Sequence, residues 1–455
     1  MKIPRIMIAA VSSGSGKTLI TCGILQALVN RKLNVTSFKC GPDYIDPMFH
    51  EKAIGTRTRN LDMFFTDAET TRYLFSRMAK DSDISVIEGV MGFYDGMGGR
   101  STDASSYDLS SKLDVPVVLV IDCKGASVSV AAMIKGFAEF RKNNIRAVIL
   151  NNMHEKIYHP IKEMIESELK LKVIGYVPNV KELVIESRHL GLLLPDEVEG
   201  LKDKLNGLAL LLERTVNIDS LVQIANSAPG LVCNDLNIRY DAVRTKIGVA
   251  SDECFCFIYK DNIELLERQG AEIVYFSPLN DERIPEDVSG MIIPGGYPEL
   301  FADKLSGNVS MLADIKERIK KGMPCMAEGG GFLYLHNRLE DNSGVFRNMA
   351  GAIGGDAFRT GKLSKFGYVT ITTEKDGILN KNSKIRGHEF HYWDSTACGD
   401  DCEAVKTLGA RHKCMHMNDN IAAGFPHLYY YSDPGVVHNF LIKCAEYHEK
   451  GRGSR

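Results

Sequence analysis

The stretch Ala9-Ala10-Val11-Ser12-Ser13-Gly14-Ser15-Gly16-Lys17-Thr18 decides the fold that we predict for the first half of the chain. It follows an apolar run and precedes a helical pattern, Leu19 to Val29. A strand, a glycine-rich turn, Gly-Lys-Thr and a helix, in this order, are typical of a phosphate-binding loop. Glycines let backbone N–H groups turn toward phosphate oxygens, and the helix N-terminus adds partial positive charge. The prediction holds although Val11 stands where the strict pattern has its first glycine.

Each residue of this loop has an expected role. Lys17 would reach the β- and γ-phosphates of the nucleotide, and the Thr18 hydroxyl would ligate Mg²⁺. The backbone that surrounds the phosphates is contributed by four residues, namely Ser13, Gly14, Ser15 and Gly16.

The composition is that of an ordinary globular protein. The chain has 455 residues, of which 44% are hydrophobic and 25% charged, so that two or three domains are expected. A net charge of −3 gives no reason to expect nucleic acid or an anionic membrane as a partner. The first apolar run is too short for a signal peptide or a membrane span, and the eleven cysteines are scattered. We therefore expect a cytoplasmic protein.

Two α/β segments are predicted, with a linker between them. In residues 1–228, continuous apolar runs alternate with helical patterns, which indicates a parallel sheet covered on both faces. Residues 229–245 are polar and begin at Ala228-Pro229-Gly230, so they are interpreted as a linker. A second α/β pattern fills residues 246–450. The predicted fold class is α/β with two domains.

Candidate site residues follow the predicted strands of the first segment, where ligands of parallel sheets bind. Asp43 and Asp46 lie in a Gly/Pro-rich loop, where they would hold magnesium or guide an attacking amine, or serve only the turn. Glu88 ends a strand beside the phosphate loop, the place of a magnesium ligand. Asn151 would read a nucleotide base or cap the next segment. Arg188 would pair with a substrate carboxylate or a phosphate.

The second segment contains a strand that runs into Gly329-Gly330-Gly331 and a helix, which is a strand–turn–helix elbow. Upstream, the glycines of Pro294–Glu299 would aim backbone N–H groups at an oxyanion. Five residues near each other could act as soft metal ligands, namely Cys398, Cys402, His412, Cys414 and His416. Their spacing matches no strong zinc pattern, so we interpret them as a loop with incidental thiols rather than a metal site.

Taken together, the sequence resembles one family, cobyrinic acid a,c-diamide synthase and its relative nickel-sirohydrochlorin a,c-diamide synthase. The resemblance covers almost the whole chain, and it accounts for Val11, because the family's phosphate loop resembles that of dethiobiotin synthetase and lacks the first glycine. It is carried by seven stretches in order: Ser13–Thr18, Lys39–Pro47, Asn60–Asp62, Glu88–Gly96, Ser187–Leu192, Gly295–Glu299 and Arg386–His391.

The resemblance implies an amide ligase. An N-terminal phosphate-loop domain would use ATP and Mg²⁺ to convert a tetrapyrrole acetate into an acyl phosphate, and a C-terminal domain similar to class I glutamine amidotransferases would release ammonia from glutamine. Thr18 and Glu88 would hold the magnesium. Asp43, Tyr44, Ile45 and Asp46 would face the acetate and the ammonia, with one of the two aspartates accepting the proton of the amine. Arg188 and His189 are further candidates for substrate binding.

The elbow departs from the family. The family has Ala-Glu-Cys-Gly-Gly there, with the cysteine as nucleophile, and this chain has Gly329 in its place. His427 matches the general base, and Gly295 and Gly296 match the oxyanion region. Cys325 lies four residues upstream, about 13 Å along a strand, which is too far for it to substitute. We therefore expect amidation from free ammonia and little or no use of glutamine.

Two other functions remain as alternatives. The first half alone also fits a ParA/MinD-like regulatory ATPase, and the whole chain fits an amidotransferase ligase for another carboxylic acid. The metal of the ring, cobalt or nickel, and the oligomeric state stay open, with a homodimer as one option.

Overall fold

The computed structural model describes residues 2–180, 187–188, 191–192, 198–236, 238 and 240–453. The chain forms two compact units, Met1–Leu236 and Asn237–Arg455. The division falls inside the segment 229–245 that the sequence marks as a linker. In the described residues, no helix has the length and apolar character that a membrane crossing requires.

The first unit is built on a seven-stranded sheet whose hydrogen-bonded pairs are all parallel. Short strands β8 (Ser187–Arg188) and β9 (Gly191–Leu192) pair separately. The strands of the large sheet are β1 (Arg5–Ala10), β2 (Val35–Cys40), β3 (Arg57–Leu61), β4 (Ile84–Glu88), β5 (Val117–Asp122), β6 (Ile145–Asn151) and β7 (Lys172–Val177). The helices are α1 (Lys17–Asn30), α2 (Ile45–Met48), α3 (Ala68–Ala79), α4 (Ser106–Lys112), α5 (Ser129–Glu139), α6 (Glu155–Leu169), α7 (Leu201–Thr215) and α8 (Ile218–Asn226).

The strand order of this sheet is β3-β2-β4-β1-β5-β6-β7. Every residue of β1, β2 and β4 is buried, as the continuous apolar runs predict for a sheet covered on both faces. The order makes β2, β4 and β1 neighbours, so the residues that follow these three strands meet at one edge of the sheet. This edge carries the candidate site. The α/β fold class is confirmed.

The second unit has a mainly parallel six-stranded sheet, in the order β11-β10-β12-β13-β23-β22. Its members are β10 (Thr245–Ala250), β11 (Ala271–Phe276), β12 (Gly290–Ile293), β13 (Cys325–Glu328), β22 (His416–Met417) and β23 (Ile421–Gly424). The helices of the unit are α9 (Lys260–Arg268), α10 (Ala302–Gly307), α11 (Val309–Lys320), α12 (Gly330–Tyr334) and α13 (Gly435–Gly453).

A strand-rich segment between β13 and β22 was not predicted from the sequence. It forms a four-stranded and a five-stranded sheet, and the second of these includes β24. Pairing of β18 (Lys384–His391) with β24 (His427–Leu428) places His388 directly opposite His427. The strands are β14 (Arg338–Glu340), β15 (Phe346–Asn348), β16 (Asp356–Arg359), β17 (Lys365–Thr373), β18 (Lys384–His391), β19 (Trp393–Ser395), β20 (Cys402–Lys406), β21 (Arg411–Cys414) and β24 (His427–Leu428).

A buried arginine in β1, Arg5, connects the first sheet to the residue after α4 and to Pro229. Arg5 has no exposed surface although it lies in β1. Its Nε donates to the Leu113 carbonyl at 2.8 Å, Nη1 to Ile3 at 2.9 Å and Nη2 to Pro229 at 2.9 Å. A buried guanidinium is stable when its donors are satisfied in this way.

We predict that Arg5→Met destabilises the protein by about 2–4 kcal/mol, because the buried carbonyls lose their donors. The measurement is unfolding in guanidinium chloride, followed by circular dichroism. Arg57→Met, at an exposed position of β3, is the control and is expected to change the free energy of unfolding by less than about 0.5 kcal/mol. Equal effects of the two substitutions would contradict the role given to Arg5.

Candidate functional site

The phosphate loop joins β1 to α1 and is held by an asparagine of β6. Gly16 precedes the helix with φ of 84°, a left-handed conformation that favours glycine. A Cβ at this position would collide with the Asn151 side-chain amide. The same amide donates to the Ser15 carbonyl at 2.9 Å, so Asn151 supports the loop. Its contact with a nucleotide base stays a prediction.

Lys17, the first residue of α1, is largely buried and points toward the segment after β4. Its Nζ donates to the Met91 carbonyl at 2.8 Å. Burial, with a further contribution from the nearby charge of Lys39, lowers the pKa of Lys17 to about 8. A phosphate oxygen would be a stronger partner for this amine than the Met91 carbonyl, because a hydrogen bond between charged groups is charge-assisted. Lys17 would therefore give up the Met91 carbonyl when a phosphate group is bound.

A buried charge cluster lies beside Lys17, at the ends of β2 and β4. We define it as Lys39, Asp46 and Glu88. Lys39 Nζ donates one hydrogen bond to the Asp46 carboxylate and another, at 2.8 Å, to Glu88 Oε1. The Thr18 hydroxyl donates to Glu88 Oε1 at 2.5 Å and lies 3.4 Å from Asp46 Oδ2. The Thr18 hydroxyl and Lys39 therefore share one oxygen of Glu88.

His50 completes the surroundings of Glu88. It lies in a short π-helix, Phe49–Ala53, and its side chain has no exposed surface. The His50 Nε2 is 3.1 Å from Glu88 Oε2. Burial alone would raise the pKa of Glu88, but Lys39 and the hydrogen bond from His50 reverse the effect and hold it below its usual range. Glu88 therefore stays ionised.

The pKa values of the other two members of the charge cluster are raised. For Lys39, the charges of Asp46 and Glu88 overcome the opposing effect of burial. For Asp46, burial is the largest cause and repulsion by Asp43 adds to it, while Lys39 acts in the opposite direction. The two carboxylates that contact one lysine thus differ in basicity, and Asp46 is the one that accepts a proton more readily.

The Asp43–Asp46 loop uses its two aspartates differently. Asp43 Oδ1 accepts from the backbone N–H of Ile45 at 2.8 Å, and the Asp43 carbonyl accepts from Asn60 Nδ2 at 2.7 Å. These are turn contacts, one of the alternatives that the sequence leaves open. Asp46 instead contacts Lys39 and Thr18. Tyr44 and Ile45 are both buried in this structure.

The oxygen atoms near Thr18 fit a magnesium ion. Thr18 Oγ1 and Glu88 Oε1 are hard oxygen ligands, and they are in contact with each other. Magnesium sites in nucleotide-binding proteins take one or two ligand oxygens from the protein, and the remaining ligands are phosphate and water oxygens. Among the described residues, no three His, Cys, Asp or Glu side chains are grouped to hold a metal ion by themselves. The residues present therefore suit a magnesium ion that arrives with the nucleotide.

Two candidate substrate residues lie at the margin of what the structure describes. Arg188 belongs to β8, but its side chain is outside the described part of the chain. His189 lies outside the described residues altogether. Their roles stay predictions.

In the second unit, Gly329 forms a sharp elbow between β13 and α12. Its backbone has φ of 49° and ψ of −113°, a combination that is strained for residues with a side chain. A Cβ at Gly329 would lie 2.6 Å from His427 Cε1 and 2.7 Å from His427 Nε2. The backbone therefore has the shape of a nucleophile elbow that faces a histidine, although the position carries no nucleophile.

His427 lies between a carboxylate and a second imidazole. Its Nδ1 is 3.8 Å from Glu328 Oε2. The His388 ring stacks on it with centroids 5.1 Å apart. Burial, and then the charge of His427, lower the pKa of His388 well below its usual value, so His388 is neutral. The His388 Nδ1 lies 3.3 Å from the Tyr259 hydroxyl.

The glycines of the predicted oxyanion region lie close to the same elbow. A side chain at Gly295 would collide with the His427 ring, and the Gly296 nitrogen is 3.0 Å from where a Cβ of Gly330 would lie. Only glycines permit this approach of backbone to backbone. The two segments are thus neighbours, and the oxyanion role itself stays a prediction.

Cys325, the cysteine considered above as a substitute, does not replace the missing nucleophile. Cys325 lies in β13 with no exposed surface, and burial raises the pKa of its thiol to about 12. In the Cys/His cluster, the Cys398 thiol contacts Asp394 Oδ1 at 3.3 Å. Cys402 and Cys414 face each other on β20 and β21 as free thiols.

Three residues that contact the predicted site residues were not singled out by sequence reasoning, namely Lys39, His50 and His388. Lys39 and His388 stand inside stretches that carry the family resemblance, so the sequence contained a signal for them. Nothing in the sequence pattern singles out His50, because its partner Glu88 is thirty-eight residues away.

Two domain families match the chain. The CobQ/CobB/MinD/ParA nucleotide binding domain matches residues 6–192. The CobB/CobQ-like glutamine amidotransferase domain matches residues 246–434. The matched ranges fall in different units of the structure.

Full-length relatives give a more specific result, and each is named cobyrinate a,c-diamide synthase. The protein of Caldanaerobacter subterraneus subsp. tengcongensis is 39% identical over 98% of this chain and 99% of its own length. That of Clostridium tetani is 39% identical over 93% and 96%. That of Thermoplasma volcanium is 36% identical over 99% of both. The chain therefore belongs to the cobyrinate a,c-diamide synthase family.

Proposed function

We propose that this protein is an ATP-dependent ligase that converts the a and c acetate side chains of cobyrinate into amides. The observation that carries the proposal is the charge cluster beside the phosphate loop, where Thr18 and Lys39 both contact Glu88. The relatives, all named for this reaction, supply the substrate. The class of enzyme is a carbon–nitrogen ligase.

The chemistry requires activation of a carboxylate. A carboxylate resists an amine until one of its oxygens becomes a leaving group, and transfer of the γ-phosphoryl group of ATP would supply one as an acyl phosphate. Charge then develops on the phosphoryl oxygens. Lys17 and Lys39 are cations beside the phosphate loop, and they would stabilise that charge.

Magnesium is expected to come with ATP, and Thr18 and Glu88 would hold it. When bound, it neutralises phosphate charge. His50 and Lys39 keep Glu88 ionised and oriented, which a metal ligand needs.

Asp46 is the better candidate of the two aspartates for acting on the nitrogen nucleophile. Its raised pKa makes it a stronger base than an ordinary carboxylate, so it would accept a proton as the amine attacks. Asp43 would orient the loop that carries Tyr44 and Ile45, the proposed contacts of the acetate.

Free ammonia is the proposed nitrogen source. Hydrolysis of glutamine by this type of site needs a nucleophile at the elbow, and Gly329 has none, while Cys325 is buried in its strand. His427, Gly295 and Gly296 would then remain from a glutaminase site without performing its chemistry. A cytosolic location and a homodimer complete the proposal, and analytical ultracentrifugation of the purified chain tests the dimer.

Lys17→Ala is expected to abolish amidation with either nitrogen source, because both need the acyl phosphate. The measurement is amide formation on cobyrinate with ATP and ammonium chloride or glutamine. Lys202→Ala, at an exposed position of α7, is the control and should behave as the parent. Near-normal ammonium-dependent turnover in Lys17→Ala would rule out the assignment.

The two aspartates should respond differently to substitution. We expect Glu88→Gln and Asp46→Asn to lower kcat by about two orders of magnitude, because both contact the groups that face developing charge. Asp43→Asn should lower kcat by about tenfold or less, since an amide oxygen still caps the turn. Steady-state kinetics with ammonium measures this. If Asp43→Asn were the most damaging of the three, the division of roles would be wrong.

Gly329→Cys should gain glutamine-dependent turnover that the parent lacks. The new thiol would stand next to His427, whose ring must shift to admit the Cβ, because that Cβ would lie 2.6 Å from His427 Cε1. Gly329→Ala is the matched control, since it adds the same Cβ at the same positive φ without a thiol. We expect both variants to retain ammonium-dependent activity, and only the cysteine variant to use glutamine. Robust glutamine-dependent turnover by the parent would contradict the proposal.

A further inference from the structure

The outer side of helix α5 is apolar although it is exposed. Val128, directly before the helix, is 65% exposed, and Phe140, directly after it, is 63% exposed. Ala132 and Gly136 are exposed between them, and the spacing of four residues puts all four in one row along the helix. Met133, beside this row, is 37% exposed. Single exposed apolar side chains are normal, whereas a contiguous group of them marks a binding surface.

This side of α5 also carries few charges. Among the eleven residues of the helix, the charged ones are Lys135 and Glu139. The next helix along the chain, α6, has six charged residues among its fifteen. A helix that faces water on one side normally has a polar outer side. The outer side of α5 is therefore better suited to contact with protein than to contact with water.

Gly136 is an independent sign that something packs on α5. It stands inside the helix, where glycine is less stable than alanine because it loses more conformational freedom. A Cβ at Gly136 would meet no atom within 4 Å, so no contact in the described part of the chain requires a glycine here. A glycine on a helix surface lets a second backbone approach closely. Gly136 thus favours a partner that packs directly on the backbone of α5.

We propose that this side of α5 is the contact surface of the homodimer, with α5 of one copy packed antiparallel on α5 of a second copy. We call this surface the α5 face and define it as Val128, Ala132, Met133, Gly136 and Phe140. The inference rests on the homodimer of the proposed function and names the surface that forms it. Most homodimers have two-fold symmetry, so that each copy uses the same patch.

The charges beside the α5 face make a second copy the fitting occupant. Lys135 and Glu139 are exposed, lie one helical turn apart, and form no ion pair with the described part of the chain. When two helices pack antiparallel about a two-fold axis near Gly136, Lys135 of each copy lies across from Glu139 of the other. Two opposite-charge pairs then flank an apolar centre, which is the usual arrangement of a protein interface. The α5 face is therefore complementary to itself.

Exposed apolar side chains next to α5 would enlarge the contact. A specific interface buries about 800 Å² on each partner, which is more than one helix of this length provides. Ile157 of α6, a helix that contacts α5, is 43% exposed. The half-buried ring of Tyr94 lies 5.1 Å from the ring of Phe140. We expect the interface to extend from α5 over these two residues.

Gly136→Glu separates the dimer from the stability of the fold. Glutamate is a better helix former than glycine, so the variant should unfold at the same temperature as the parent or a higher one. Its side chain would block the close approach of a second helix. In analytical ultracentrifugation we expect a dimer for the parent and a monomer for Gly136→Glu. Leu210→Glu is the matched control, because it places the same charge at a 64% exposed position of α7, and it should remain a dimer.

A charge exchange identifies a second copy as the occupant. Lys135→Glu turns both opposite-charge pairs into like-charge pairs, so we expect the dimer to dissociate about tenfold more readily. Adding Glu139→Lys restores two opposite-charge pairs and should restore the dimer. Restoration is expected only if both sides of the contact carry the same residues. Sedimentation at a series of protein concentrations measures the dissociation constants.

Three outcomes would overturn the inference. A dimeric Gly136→Glu variant would place the interface on another surface, although the homodimer itself would stand. A monomeric parent would rule out the dimer. If cobyrinate protected the amides of α5 in such a monomer from hydrogen exchange, the α5 face would belong to the substrate. The proposed function fails separately, namely if the parent forms no amide from any nitrogen source.

Discussion

The contact of Lys39 with both Asp46 and Glu88 is the interaction on which the first unit's site depends. All three side chains are almost fully buried, where an unpaired charge is very costly. Lys39 contacts two buried carboxylates next to the phosphate loop and helps to hold the pKa of Glu88 below its usual range, whereas burial raises the pKa of Asp46. The strand order that places β2 beside β4, and β4 beside β1, is what brings the lysine, Glu88 and Thr18 together.

The elbow of the second unit has the backbone geometry of a nucleophile elbow, but it lacks a side chain that could act as the nucleophile. Gly329 has a strained φ and ψ, and a Cβ there would point at His427. Glycine adopts this conformation at little cost, so the shape of the elbow survives the loss of the nucleophile. The backbone framework of a glutaminase and its chemistry are thus separable.

Much of the fold and part of the site were predictable from sequence. The phosphate loop is a local pattern, and the apolar runs of β1, β2 and β4 predict a parallel sheet, so a carboxylate at the end of β4 was expected near Thr18. The hydrogen bond that the Thr18 hydroxyl donates to the Glu88 carboxylate agrees with that expectation. The turn contacts of Asp43 were one of two alternatives, and sequence alone does not separate them.

What the sequence did not predict depends on contacts between distant parts of the chain. Lys39 lies near the end of β2, and its long side chain extends to Asp46 and Glu88. His50 lies in a short π-helix and contacts Glu88, which is far from it in the sequence. His388 meets His427 through the pairing of β18 with β24, within a strand-rich segment whose short strands leave little periodic signal. No local pattern encodes these three contacts.

The most direct test of the account is the origin of the nitrogen in the product. Cobyrinate and ATP are incubated with the parent protein, ¹⁵N-labelled ammonium and unlabelled glutamine at equal concentration, and the amides are analysed by mass spectrometry. The account predicts that both new amides carry the label, because no nucleophile at position 329 releases nitrogen from glutamine. Unlabelled amides in the product would contradict it.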